Sequence, residues 1–173
     1  MFRKMSLVVA LMIGLIGVPA QAMHPSGSHD QIKIVRDQYG VPHVYAPTAK
    51  QVSYGAGYAL AQDRLWQMHI LRLLTKGNLS HLLGDLIVDA DQEARFWLYT
   101  AEERAARFET YPADIRENLA AFRDGINEWI AQINADPINK MPFEFVEYAE
   151  LPIREWTLDD SLAIGDYLIW TFG

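Results

Sequence analysis

The chain has no cysteine among its 173 residues. That absence excludes disulfides, thiolate metal sites, iron–sulfur clusters and a cysteine nucleophile. Cations are also scarce: 15 Lys and Arg stand against 22 Asp and Glu, giving a formal net charge of −7. An acidic chain is a poor general binder of nucleic acid, because neutralising phosphates needs a basic surface. No apolar run reaches the ~20 residues that a membrane-spanning helix requires. GxSxG, a Walker loop, GxGxxG and HExxH are all missing, and with them the best-marked hydrolase, nucleotide and zinc signatures. What is present is the composition of a folded domain, 50% hydrophobic and 21% charged, outside the range of disordered chains.

The first 22 residues read as a secretory signal peptide. Arg3 and Lys4 form a positive start, Leu7 to Val18 an apolar stretch, and Ala20-Gln21-Ala22 a small-x-small cleavage site. The expectation is a periplasmic or secreted protein, Met23 to Gly173, with no membrane segment after the leader is removed. Without cysteine, an exported domain must draw its stability from packing. Met23 to Gln31 is small and polar, and its histidines, His24 and His29, read as solvated tail residues.

The pattern that follows is α+β, mostly helical after an N-terminal β-hairpin. Ile32 and Ile34, then Val41 and Val44, are β-rich runs separated by Asp37-Gln-Tyr-Gly40, with Pro42 placed for an edge or entry position. From Lys50 to Lys76 the period turns helical, with Val52, Ala56, Ala59, Trp66, Ile70 and Leu73 on one stripe and Gly77 as the stop. A short helix, Leu79 to Leu83, should end at Gly84. Asp85 to Arg95 reads as acidic and irregular. Pro112 opens a long helix with the stripe Ile115, Leu119, Phe122, Ile126, Trp129 and Ile133. Asn139 to Ile153, holding Pro142 and Pro152, reads as an extended connector; Thr157-Leu-Asp-Asp160 is a capping box before an apolar helix to Phe172.

Chemistry could sit at few places. Asp63 falls between Ala59 and Trp66 on the apolar stripe, where a carboxylate is costly unless paired. It is either a catalytic acid with a raised pKa or, the preferred reading, a buried structural ion pair with Arg64, Arg72 or a cation from elsewhere. His43, His69 and His81 lack metal-ligand spacing. Asp89-Ala-Asp91-Gln-Glu93 alternates like a calcium loop but lacks its glycine and terminal glutamate, so a solvated acidic loop is expected. No complete catalytic centre emerges from the residues, and no metal ligand set.

Ile34-Val-Arg-Asp-Gln-Tyr-Gly-Val-Pro-His-Val-Tyr-Ala46 resembles the opening of the penicillin amidase family, which includes penicillin acylases and N-acyl homoserine lactone acylases. So does Gly57-Tyr-Ala-Leu-Ala-Gln-Asp-Arg-Leu-Trp-Gln-Met68, with Arg72, Gly77 and Leu83-Gly84 behind it. Asp91 with Arg95, Asp124-Gly-Ile-Asn-Glu-Trp129, Pro142 and Trp156-Thr-Leu-Asp-Asp160 follow in the family's order. The resemblance runs from Ile32 to about Gly173.

It implies an autoproteolytically processed precursor and an α-subunit that completes a four-layer αββα N-terminal nucleophile fold with a β-subunit. The β-subunit would begin with a serine whose own α-amino group is its base. The reaction implied is hydrolysis of a small-molecule N-acyl amide, such as a penicillin or an acyl homoserine lactone. On this reading the present chain carries no catalytic residue. Ile169 and Phe172 would line the acyl pocket, while Thr171-Phe172-Gly173 stands where penicillin G acylases carry a basic-aromatic pair. Calcium, if bound, would be held mainly by the partner chain. Two rivals stand beside this reading: a truncated, non-catalytic family member, and an independent helical binding protein. On this resemblance the chain is short at its C-terminus for an α-subunit, and its end inside an apolar helix favours dependence on a second chain.

Overall fold

A computed structural model describes residues 31–148 and 151–172. The expected leader and its cleavage site lie outside the described residues.

Strands β1 (Lys33–Arg36) and β2 (Pro42–Tyr45) pair antiparallel, with Ile34 opposite Val44 and Arg36 opposite Pro42. The turn between them follows from its residues. Gly40 takes φ +80°, which other side chains resist, and the Asp37 carboxylate accepts from the backbone N–H of Tyr39 and of Val41 at 2.8 and 3.0 Å. Ile32 and Ile34 point inward to Tyr54, Tyr58, Ala59 and Ala121, forming the smaller of two cores.

Helix α1 (Ala49–Thr75) starts at Thr48, whose side chain accepts from Gln51 N–H. It ends as the sequence indicates. Gly77, at φ +61°, donates to the Leu74 carbonyl and Asn78 donates to Leu73, satisfying two terminal acceptors. Helix α5 (Ala113–Ala135) opens behind Pro112 and lies along α1. The two backbones nearly touch: a Cβ added at Gly57 would fall 2.0 Å from the Phe122 carbonyl oxygen, and one at Gly125 equally close to that of Tyr54.

The buried face of α1 differs from the expected stripe. Tyr54, Tyr58, Ala61, Leu65, Met68 and Arg72 are buried, whereas Val52 is exposed and Ala56, Trp66, Ile70 and Leu73 are only half-buried. A hydropathy ranking passes over the tyrosines, glycines and arginine that make this face. The main core joins Ala61, Leu65 and Met68 to Ile126, Ile130, Ile133, Phe145, Ile153 and Trp156. On α5, Ile126 and Ile133 are buried as expected, but Ile115 is exposed.

Two stretches expected to be irregular are helical. After α2 (Ser80–Leu83) and a 3-10 turn, residues 88–97 form α3 (Val88–Trp97). Asp89 and Asp91 lie in its first turn and Arg95 in its last, the charge order a helix dipole favours. The connector expected over Asn139 to Ile153 holds α6 (Pro137–Lys140) and α7 (Phe143–Tyr148), the latter anchored by buried Phe145. Pro137 and Pro142 sit where helices begin, where a missing N–H costs nothing. An additional helix, α4 (Ala101–Glu109), rises from a capping box between Thr100 and Glu103. Helix α8 (Leu158–Phe172) begins at the expected box: Thr157 N–H donates to Asp160 Oδ2 at 2.7 Å, and Asp160 N–H to Thr157 Oγ1 at 3.1 Å. Among the described residues no helix is long and apolar enough to cross a membrane.

Candidate functional site

The chemistry-bearing residues gather at the base of α8, while its tip is apolar. Asp160 is 2% exposed. It receives Lys76 Nζ at 2.6 Å, and Arg72 lies 3.9 Å away. Asp159 accepts from Lys76 Nζ at 2.8 Å and from Arg104 Nε at 2.6 Å. Burial pushes the Asp159 pKa up, but the bonds from Arg104 and Lys76 outweigh it, and the net shift is downward. Two turns further along α8, Arg107 donates to Asp166 at 2.8 Å and stacks 4.4 Å from the Tyr99 ring. Lys76 was legible as a C-terminal helix cation and Asp160 as a cap. That the two meet across elements was not legible, because their separation in sequence gives no local signal.

Beyond Asp166 the helix leaves the core. Leu168, Ile169, Trp170 and Phe172 are exposed, Ile169 at 69% and Phe172 at 83%. Trp170 and Tyr167 share a cavity of about 220 Å³ with Leu74, Trp97 and Leu98. Ile169 and Phe172 therefore belong to an open apolar surface and not to this molecule's core.

Asp63 is paired but not buried, which corrects the expectation for it. Its side chain is 34% exposed, and both its oxygens accept from Arg36, at 2.7 and 2.9 Å. Arg36 also donates to Gln62 and to the Gly40 carbonyl. The clamp joins the hairpin to α1 immediately before Arg64, whose φ and ψ of −139° and 16° kink the helix. Arg64 itself is exposed and forms no ion pair among the described residues. The carboxylate faces solvent because α1 turns Ala61 and Leu65, not Asp63, toward α5. Beside it an open cavity of about 570 Å³ runs between Tyr39, Val41, Pro42, Leu60 and Phe122.

The expected solvated acidic loop is also corrected. Asp91 is 3% exposed, and its two oxygens accept from Leu79 and Ser80 N–H at 2.8 and 2.9 Å. Arg95 reaches back to the Gly77 carbonyl. The histidines lie apart. His43 pairs with Asp37 at 3.2 Å, His81 is exposed, and His69 packs between Trp66 and Phe145. Burial, reinforced by the charges of Arg72 and Arg154, pushes the His69 pKa down to about 4. Among the described residues no three His, Cys, Asp or Glu side chains converge as a metal site.

The model of the penicillin amidase family matches residues 31–173. The chain belongs to the penicillin amidase family. It is 38% identical to penicillin G acylase of Escherichia coli over 127 residues, 73% of this chain and 15% of that protein. It is 30% identical to acyl-homoserine lactone acylase PvdQ of Pseudomonas putida over 133 residues, 73% of this chain and 17% of that protein. The chain thus spans about one sixth of the length of these relatives. A solved thermostable penicillin G acylase from Alcaligenes faecalis superposes with a TM-score of 0.73 at 31% identity, covering 82% of this chain and 73% of that one.

For this penicillin amidase family member, the motif residues turn out to organise the fold. Gly57 brings α1 onto α5, while Asp91 and Arg95 brace the turn at Gly77. Asn127 ties α5 to Trp156, accepting its N–H at 2.6 Å and donating to its carbonyl at 2.9 Å.

Proposed function

We propose that this chain is the small-subunit part of an exported acylase that hydrolyses the amide bond of N-acyl compounds. The observation that carries the reading is the family match over residues 31–173 together with the superposition on a penicillin G acylase chain. The relatives are named acylases, one of penicillin G and one of acyl-homoserine lactone. In this reading a partner subunit completes the αββα fold and supplies an N-terminal serine. The serine hydroxyl adds to the acyl carbonyl while the free α-amino group takes its proton. The amine departs with that proton, and water then releases the acid from the acyl-enzyme. Apolar side chains at the α8 tip, Ile169 and Phe172 among them, supply surface for the acyl group and for the partner. Calcium enters no step; by resemblance to the family, any bound calcium would be held mainly by the partner chain.

Residues 1–22 support export to the periplasm. The test is co-expression with a large subunit that begins with serine, followed by hydrolysis of a chromogenic phenylacetyl anilide and of an acyl homoserine lactone. Turnover by the pair, with none from Met23–Gly173 alone, is expected. Turnover by the single chain would overturn the assignment. The higher identity to penicillin G acylase favours the penicillin-acylase reading; faster cleavage of the lactone would favour the acyl-homoserine lactone reading.

A further inference from the structure

Between α1 and the strap leading into α8 lies a cavity of about 280 Å³, lined by Arg72, Lys76, Asn78, Arg154, Thr157 and Asp160, with Glu155 at its edge. Its cations are unequally satisfied. Lys76 is held by Asp159 and Asp160. Asp160 Oδ2 is already occupied by the Thr157 N–H and hydroxyl, at 2.7 and 2.8 Å. Arg72 is only 7% exposed. One of its terminal nitrogens donates to the Glu155 carbonyl at a long 3.4 Å, and the other lies 2.8 Å from His69 Nδ1. Its Nε–H is buried with no acceptor. Arg154 is exposed and has no ion pair among the described residues. With Asp159 and its other partner Arg104 counted, four cations stand against Asp159, Asp160 and Glu155, leaving one surplus positive charge.

We propose that this cavity binds one small carboxylate ion, with Arg154 as the outer fork and Arg72 and Lys76 as the cationic wall behind it. The surplus charge matches a monoanion, and two wall carboxylates disfavour a phosphate dianion. A guanidinium pairs with carboxylate through parallel N–H···O bonds, which lysine cannot match. The field of Arg154 reaches the site: after burial, it contributes to lowering both His69 and Arg72. The proposal is independent of the acylase reading.

The test is calorimetric titration of the complete protein with sodium acetate at constant ionic strength, with chloride as the balancing ion. One saturable acetate site is expected, weakened about tenfold or more by Arg154→Gln and abolished by Asn78→Asp, which puts a fixed carboxylate in the cavity. Acetate heats equal to those of chloride, or wild-type affinity in Arg154→Gln, would overturn the proposal. Should Arg154→Gln lower the melting temperature, Asn78→Asp decides, and undiminished acetate binding there overturns it. Phosphate binding more tightly than acetate would refute the carboxylate assignment.

Discussion

Replacing Gly57 by alanine adds one methyl group where two helix backbones meet. That methyl would sit 2.0 Å from the Phe122 carbonyl oxygen. An ordinary contact needs ~3.5 Å, so α1 and α5 must separate by roughly 1.5 Å. Backbone cannot rotate away as a side chain would, and the separation also loosens Tyr58, Ile126 and Ile130 in the two cores. Overpacking in rigid cores costs ~1–3 kcal/mol and sometimes more; with backbone on both sides, ~3 kcal/mol or above is expected. For a chain of this size that is a fall in melting temperature of ~6–12 °C. Gly125→Ala, meeting the Tyr54 carbonyl from the other helix, should behave alike. Gly165→Ala provides the contrast, since its added methyl meets nothing within 4 Å. There the better helix propensity of alanine should stabilise by up to ~1 kcal/mol. Thermal unfolding followed by circular dichroism reads all three. A Gly57→Ala protein melting within ~1 °C of wild type would refute the packing argument.

Asp63→Asn, breaking an exposed pair, should cost no more than ~1 kcal/mol; a melting shift beyond ~5 °C would contradict the observed exposure. Asp91→Asn leaves an amide that cannot accept both the Leu79 and Ser80 N–H, and should cost ~1–3 kcal/mol in urea unfolding. An unchanged midpoint would mean that the α2 turn holds without it. Stability should fall as pH drops from ~6.5 to about 4, because the unfolded His69 takes a proton near the usual value and the folded one only near 4. His69→Gln should flatten that slope. Below this window, Asp159 adds a further loss as pH falls through its lowered pKa; equal stability at pH 7 and pH 4.5 would count against the His69 assignment. Phe172→Asp, at an exposed tip, should leave the melting temperature of the chain unchanged yet raise KM for apolar acyl substrates in the assembled enzyme; a KM equal to wild type removes Phe172 from the acyl surface.

The hairpin and helices α1, α5 and α8 were legible because their signals are local: Gly40 in a turn, Gly77 as a stop, Pro112 as an opener, Thr157 and Asp160 as a reciprocal cap. The helix α3 was read as loop because its carboxylates suggested solvent, whereas Asp91 spends its oxygens on the backbone of the preceding turn. Pro142 and Pro152 suggested an extended chain through α7, though Phe145 had the size to anchor a helix there. The burial of α1 escaped the stripe because that helix is covered from two sides, by α5 and by the hairpin. The candidate site was the least legible part. Lys76, Arg104 and Asp159 come from three elements, and only the fold brings them together.

The charged anchorage at the foot of α8 gives that helix the mechanics of a cantilever. Its root is bolted by Lys76, Arg72 and Arg104 and, further along, by Arg107 at Asp166, and at ~1.5 Å per residue the free arm from Asp166 to Phe172 is roughly 9 Å long. A tilt of about 10° at that anchorage swings the end by roughly 1.5 Å. Displacements of ~1 Å can cost an enzyme ~100-fold in rate. A conservative change such as Arg104→Lys, remote from any substrate, would therefore act at long range by re-aiming the arm, and evolution could adjust what the tip meets without altering a residue there.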